Sequence, residues 1–96
     1  MMNISDLHAR LKPVSAIPLF KAEEGSVTAI QILNGQVLKE HQTKTAALLI
    51  CVTGEVVFEN EKGAKVILLP GIYVNIEAGV KHLVKGIRDS QLLLIR

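Results

Sequence analysis

The chain has 96 residues, which is the size of one domain and leaves no room for a second. Hydrophobic residues make up 49%, charged residues 21%, and the net charge is +2, so the composition is that of a globular protein and not of a disordered tail. The 11 Lys and Arg residues are dispersed among 9 acids, and aromatic residues are only 3% of the chain. A nucleic-acid-binding platform is therefore not expected, because it needs clustered cations and stacking rings.

Nothing in the sequence predicts a membrane segment or an export signal. The longest apolar run, Ala46–Val52, is far shorter than the roughly 20 residues that a membrane-spanning helix needs. Residues 1–8 lack the basic and apolar regions of an export signal. The single cysteine, Cys51, can form no intramolecular disulfide. We therefore expect a cytoplasmic protein that has no membrane partner.

Residues 1–25 are predicted to form an N-terminal arm and an edge strand. Ser5 is a candidate N-cap for a short helix over residues 6–11, which Pro13 would end, and an irregular arm fits the same residues. His8 lies in this arm and has no partner residue in the sequence. We expect it to lie at the surface.

From residue 26 onward the chain consists of short runs that are mostly rich in Val, Ile and Leu. The runs are Val27–Leu33, Ala46–Val52, Glu55–Glu59, Lys65–Leu69, Ile72–Ile76, His82–Val84 and Gln91–Ile95. Turn signals such as Asn34-Gly35 and Pro70-Gly71 separate them. Many short strands at this spacing predict an all-β sandwich or small barrel over residues 26–96.

Several of the predicted strands are apolar on both faces. Leu92–Ile95 and Ala47–Val52 offer no polar face to water, so they need a second sheet, a subunit partner or both. Loops that lie over central strands are the alternative. The segment Pro13–Lys21 is suited to a subunit contact, because Phe20 is apolar and Pro18 favours an edge strand. We expect a homodimer.

Glycines and histidines after residue 34 keep a characteristic spacing. The residues that carry it are Gly35, His41 and Gly54, followed by Gly71, Gly79 and His82. This spacing resembles the two motifs of the cupin superfamily, which are small antiparallel β-barrels of the jelly-roll type. The resemblance covers about Gly35 to Ile95 and implies a single-domain, all-β jelly-roll barrel. Cupin-like proteins often pair through sheet edges, which agrees with the expected homodimer.

The same resemblance implies a damaged metal site. In the family, two His and one Glu of the first motif and one His of the second bind iron, manganese, nickel or zinc, which such mixed imidazole and carboxylate sets favour. Here Thr43 stands at the second His position and Ala47 at the Glu position, so His41 and His82 remain. The resemblance thus implies a weakly bound divalent transition metal at these two histidines, and a metal-free polar pocket is the alternative.

Other residues are candidates for additional contacts at this site. Glu77 replaces the proline of the second motif, in a turn from which it reaches at most the mouth of the barrel. Cys51 is expected to be a buried apolar thiol. Tyr73, Asn75 and Gln31 are polar residues within apolar strands. They either line the cavity or lie on a solvated face, and the sequence leaves both positions open.

Three functions from different classes follow. Thr43 and Ala47 enlarge the cavity and make it more apolar, while two imidazoles remain as directional groups, a combination that describes a ligand pocket. We expect a non-catalytic small-molecule-binding domain in which His41, Thr43, Tyr73 and His82 contact the ligand. The alternatives are a metal-dependent enzyme of the dioxygenase or isomerase type that uses His41 and His82, and a structural or interaction protein whose barrel is filled by side chains.

Overall fold

The computed structural model of the protein describes residues 2–96, and at Glu40 and His41 it describes the backbone alone. A 3₁₀ helix spans Ile4–Leu7 and is followed by the strands β1 (Val14–Lys21), β2 (Ser26–Ile32), β3 (Val37–His41), β4 (Ala47–Thr53), β5 (Val56–Asn60), β6 (Lys65–Leu68), β7 (Tyr73–Ile76), β8 (His82–Gly86) and β9 (Ser90–Ile95). The predicted all-β class is confirmed. Over the described range, no helix is long and apolar enough to cross a membrane.

The strands form two antiparallel sheets. The five-stranded sheet has the order β1-β2-β9-β4-β7, and the four-stranded sheet has the order β3-β8-β5-β6. From β2 onward, most connections carry the chain from one sheet to the other, as in a jelly roll. The inner faces of the two sheets therefore enclose one interior, which confirms the predicted barrel.

The interior is built by strict alternation of side chains along the strands. Its buried cluster consists of Ile30, Ile32, Ala47, Leu49, Cys51, Val56, Phe58, Leu68, Ile76, Val84, Leu92 and Leu94. Cys51 is fully buried, as predicted, and burial raises the pKa of its thiol. Ala47 and Cys51 both lie in this cluster because they are an even number of residues apart on β4.

The second face of the five-stranded sheet, which we call the outer face, is also largely apolar. Leu48 and Ile50 of β4 and Leu93 of β9 alternate with the interior residues of their strands and are only partly buried. At one end of the outer face, residues of the N-terminal arm lie over the sheet, where Gln31 donates hydrogen bonds to the carbonyl oxygens of Ala9 and Lys12. A loop therefore covers one part of this face, and the rest has no cover within the described chain.

The N-terminal arm differs from the prediction in two ways. Asn3, and not Ser5, caps the 3₁₀ helix: its side-chain oxygen accepts a hydrogen bond from the Ser5 amide at 3.0 Å. This helix ends at Leu7, because the chain then turns onto the sheet. His8 is not at the surface, since it is only 7% exposed and its Nδ1 lies 2.7 Å from the Ser15 hydroxyl. The strand that follows the arm, β1, forms an edge of the five-stranded sheet, as we expected from the presence of Pro18.

At two motif positions, the packing of neighbouring segments explains why the residue is glycine. Gly54 closes the first motif in a turn with a φ of 92°, and a Cβ there would collide with the Ser90 side chain. Gly86 stands where the second motif has Asn, and a Cβ there would collide with the Leu33 carbonyl oxygen. Both glycines are therefore required by the close approach of neighbouring segments.

Candidate functional site

The candidate site lies at the end of the barrel where β3 and β7 end and β4 and β8 begin. In the antiparallel pair of β3 and β8, the Cα atoms of His41 and His82 are register partners. Residues at partner positions of an antiparallel pair share one face of the sheet. The fold therefore brings the two histidine positions together, as the motif spacing implies. The side chain of His41 lies outside the described part of the structure.

His82 is an interior residue at this end of the barrel. It is 3% exposed, and its ring stacks on Phe58 with 5.6 Å between centroids and an interplanar angle of 28°. Phe58 and His82 are diagonal neighbours, because His82 pairs with Asn60 while Phe58 pairs with Val84. The Nδ1 atom of His82 lies 3.4 Å from the Val80 carbonyl oxygen. The imidazole is therefore held by an aromatic face on one side and by its own loop at the edge.

Thr43 and Ala47, the two positions where the motif has lost its metal donors, lie at the same end and are both buried. The Thr43 hydroxyl donates a hydrogen bond to the Thr45 carbonyl oxygen at 2.8 Å, and its own carbonyl oxygen accepts one from the Gly79 amide at 2.9 Å. Ala47 begins β4 opposite Ile76. The Thr43 hydroxyl proton and carbonyl oxygen therefore both make hydrogen bonds with the backbone of nearby loops. The side chain of Ala47 is only a methyl group.

The metal set that the cupin resemblance implies does not fit the described side chains. Among them, no group of three or more His, Cys, Asp and Glu residues could hold a metal ion. A neutral hydroxyl is a poor ligand, and the hydroxyl of Thr43 already donates its proton to the backbone. Ala47 supplies no negative charge to balance a dication inside the barrel.

Three of the polar candidates are not at the site. Tyr73 is 57% exposed and pairs with Ile50 on the outer face, so it is separated from the interior by the sheet itself. Asn75 is exposed on the same side, because the inward positions of β7 belong to Val74 and Ile76. Gln31 is buried, but beneath the N-terminal arm. Tyr73, Asn75 and Gln31 therefore do not line the space between the sheets.

Loops tied to each other form the rim of the site. Glu77 is exposed and pairs with Lys62 at 2.8 Å, and the hydrogen bond to Glu77 raises the pKa of Lys62. Beside this pair, Glu61 accepts a hydrogen bond from the Lys81 amide at 2.6 Å. Glu77 therefore belongs to the rim, as the sequence predicted, and helps to hold residues 77–81 against the turn between β5 and β6.

Sequence reasoning missed two residues at this end. Phe58 belongs to an apolar run, and only the register between β5 and β8 reveals that it faces His82. Val80 is buried in the loop before β8 and offers its carbonyl oxygen to His82. The second motif fixes the distance from Val80 to His82, but not the direction in which the loop carbonyl points.

Solved structures of cupins share this fold. The chain is similar to a cupin superfamily protein from Desulfitobacterium hafniense DCB-2, with a TM-score of 0.84 and 21% identity over 96% of this chain and 84% of that one. It is also similar to an RmlC-like cupin family protein with a double-stranded β-helix fold from Methanocaldococcus jannaschii, with a TM-score of 0.78 and 18% identity over 93% and 84% of the two chains.

A third similar structure is TT1209 from Thermus thermophilus, with a TM-score of 0.82 and 26% identity over 99% of this chain and 93% of that one. The sequence matches no family model and no curated protein. The chain therefore has the fold of the cupin superfamily, and the resemblance read from the motif spacing is confirmed at the level of the fold.

Proposed function

We propose that this cupin-fold domain binds a small organic molecule at the end of the barrel that contains His82, and that it does so without metal-dependent catalysis. The observation that carries this proposal is a buried imidazole at the same end of the barrel as Thr43 and Ala47, the two positions where the motif has metal donors. Ligand sites in proteins generally combine apolar walls with a few polar groups that orient the ligand. His82 supplies the polar group within the described side chains, and His41 occupies its register position on β3.

The surroundings of His82 favour recognition over chemistry. The ring is supported on one face by Phe58 and at its Nδ1 edge by the Val80 carbonyl oxygen. These two contacts give the imidazole a fixed orientation inside the barrel. Thr43 adds hydroxyl lone pairs, since the bond to Thr45 uses only its proton. We therefore include His41, Thr43 and His82 in the proposed site and leave Tyr73 out.

A structural role is the second candidate function, and one specific observation favours it. The twelve-residue buried cluster, which includes the Phe58 ring stacked on His82, occupies the space between the sheets. If these side chains fill the barrel, His82 is a packing residue and the domain acts through its surface.

A binding experiment separates these functions. The wild-type protein is screened by thermal shift against small carboxylic acids, sugars and nucleobases, with His82→Phe as the site variant and Tyr73→Phe as the matched control. We expect a compound that raises the Tm of the wild type and of Tyr73→Phe but not of His82→Phe, since ligand binding stabilises the folded state. Failure of every compound to shift the wild-type Tm would favour the structural role.

We also propose that the domain forms a homodimer through the outer face. Three apolar residues lie next to each other on this face: Leu48 and Ile50 on β4, and Leu93, which pairs with Ile50, on β9. Phe20 is exposed on the edge strand of the same sheet. A contiguous apolar face of this kind is unusual on a monomer. The dimer would not cover the proposed ligand site, because the residues of that site lie between the sheets and not on the outer face.

A further inference from the structure

The N-terminal arm, residues 2–12, is attached to the outer face by polar contacts. The Gln31 side-chain amide donates hydrogen bonds to the carbonyl oxygens of Ala9 at 3.2 Å and Lys12 at 3.1 Å. Gln91 on the neighbouring strand β9 donates to the Gln31 side-chain oxygen at 2.8 Å. The arm is therefore fixed to the sheet by directional bonds.

His8 is the titratable residue within this attachment. Its Nδ1 lies 2.7 Å from the Ser15 hydroxyl, and its Nε2 is buried without a hydrogen-bond partner among the described residues. A neutral imidazole with its proton on Nδ1 donates to Ser15, and its Nε2 is then an acceptor that loses only one weak hydrogen bond to water when it is buried. An imidazolium carries a proton on both nitrogens. Protonation would therefore place an unpaired charged donor beneath the arm, which is far more costly.

Within residues 2–96, the groups around His8 do not compensate a positive charge on its ring. Ser15 on β1, Gln31 on β2 and Gln91 on β9 form the hydrogen-bonded network beneath the arm, and all three are uncharged. The other sheet residues that line pockets with the arm, Leu19, Val52, Thr53 and Leu93, are uncharged as well. On the arm itself, Asp6 is exposed to solvent, while Arg10 and Lys12 are cations. Burial and, secondly, the charge of Lys12 lower the pKa of His8 below 6.5.

We propose that His8 is a pH-sensitive latch: its protonation releases residues 2–12 from the five-stranded sheet and uncovers Ala29 and Gln31. Both residues are now buried on the outer face, next to the apolar side chain of Leu93. Acidification would thus enlarge the exposed part of this face. The latch lies on the opposite side of the sheet from the proposed ligand site and does not depend on it.

The direction of the pH dependence follows from the two states. In the released arm, His8 has its ordinary pKa of 6.5, and in the docked arm its pKa is lower. The docked arm therefore has its full stability above pH 6.5 and loses stability as the pH falls from 6.5 through the docked pKa. For each unit by which docking lowers the pKa of His8, the equilibrium constant for docking falls about tenfold as the pH goes from above 6.5 to below the docked pKa.

Hydrogen–deuterium exchange of the full chain at pH 8 and pH 5, corrected for the intrinsic exchange rate, tests the latch. We expect the protection of residues 2–12 to fall at pH 5, while that of β4 and β9 stays unchanged. His8→Asn is the matched variant, because the Asn amide can replace Nδ1 in the bond to Ser15 and does not titrate. Protection in His8→Asn should be the same at both pH values.

Lys12→Gln provides a second variant that leaves His8 in place. Removing this cation brings the docked pKa of His8 closer to 6.5, so the loss of protection at pH 5 should be smaller than in the wild type. This variant decides the matter if His8→Asn does not dock at pH 8. Equal protection of the wild-type arm at both pH values, or an equal loss in wild type and Lys12→Gln, would overturn the latch.

Discussion

The ring of His82 rests on the ring of Phe58, with 5.6 Å between their centroids, although the two residues lie on different strands. Both side chains are almost completely buried. This contact connects the proposed ligand site with the buried cluster of the barrel. The position of the imidazole is therefore determined by core packing as well as by the loop that precedes β8.

Removal of the aromatic support should be strongly destabilising. Phe58→Ala leaves a cavity between the sheets, and truncation of a buried Phe lowers the free energy of unfolding by about 3–5 kcal/mol. Urea denaturation followed by circular dichroism measures this loss. Ile67→Ala is the control, because Ile67 is 58% exposed on the four-stranded sheet. A loss below about 1 kcal/mol for Phe58→Ala would mean that the barrel collapses around the missing ring.

Most of the barrel strands were predictable because their signals are local, but β3 (Val37–His41) was not among the predicted runs. The run Val27–Leu33 became β2 (Ser26–Ile32) with a shift of one residue, and the turns fall at Asn34-Gly35 and Pro70-Gly71 as predicted. The alternation of side chains along β7 also predicts the face of the sheet on which Tyr73 lies. Once Val74 and Ile76 are taken as interior residues, Tyr73 has to face outward.

The N-terminal arm was less predictable because its structure depends on distant residues. His8 is buried and contacts Ser15, and no pattern within residues 1–12 encodes that contact. One signal was available: Gln31 and Gln91 are both polar within apolar strands. They turn out to be register partners on β2 and β9, which indicates a polar layer beneath a covering segment.

The glycine that closes the first motif should be less tolerant of substitution than a turn glycine elsewhere. Gly54 and Gly63 have nearly the same φ, 92° and 90°, so alanine has the same conformational penalty at both positions. A Cβ at Gly63 meets nothing within 4 Å, whereas one at Gly54 collides with Ser90. Gly54→Ala should therefore lower the unfolding free energy by about 1–3 kcal/mol more than Gly63→Ala. Equal losses in urea denaturation would show that Ser90 moves aside freely.

The proposed dimer predicts a molar mass of twice 10.5 kDa in light scattering at micromolar concentration. Leu93→Lys should reduce this mass to that of the monomer, because it places a charge in the centre of the apolar outer face. Ile67→Lys places the same charge on the four-stranded sheet and should leave the dimer intact. A monomer mass for the wild type would reject the dimer, and dissociation by Ile67→Lys alone would place the interface on the other sheet.

The metal content of the protein tests the part of the proposal that excludes metal-dependent catalysis. Purified without chelators or an affinity tag, the wild type should contain far less than one equivalent of iron, manganese, nickel or zinc by elemental analysis. The physical reason is that Thr43 and Ala47 supply neither an imidazole nor a carboxylate at the barrel end where the family binds metal.

Restoring the missing donors should reverse this result. In the double variant Thr43→His/Ala47→Glu, a buried carboxylate without a counter-ion destabilises the apo-protein. Added divalent metal should therefore raise its Tm, because it binds only the folded state, and should leave the Tm of the wild type unchanged. The double variant Thr43→His/Ala47→Gln controls for crowding, because Gln has nearly the same shape as Glu but no charge. One equivalent of metal in the wild type that disappears in His82→Ala would contradict the proposal and favour a metal-dependent enzyme.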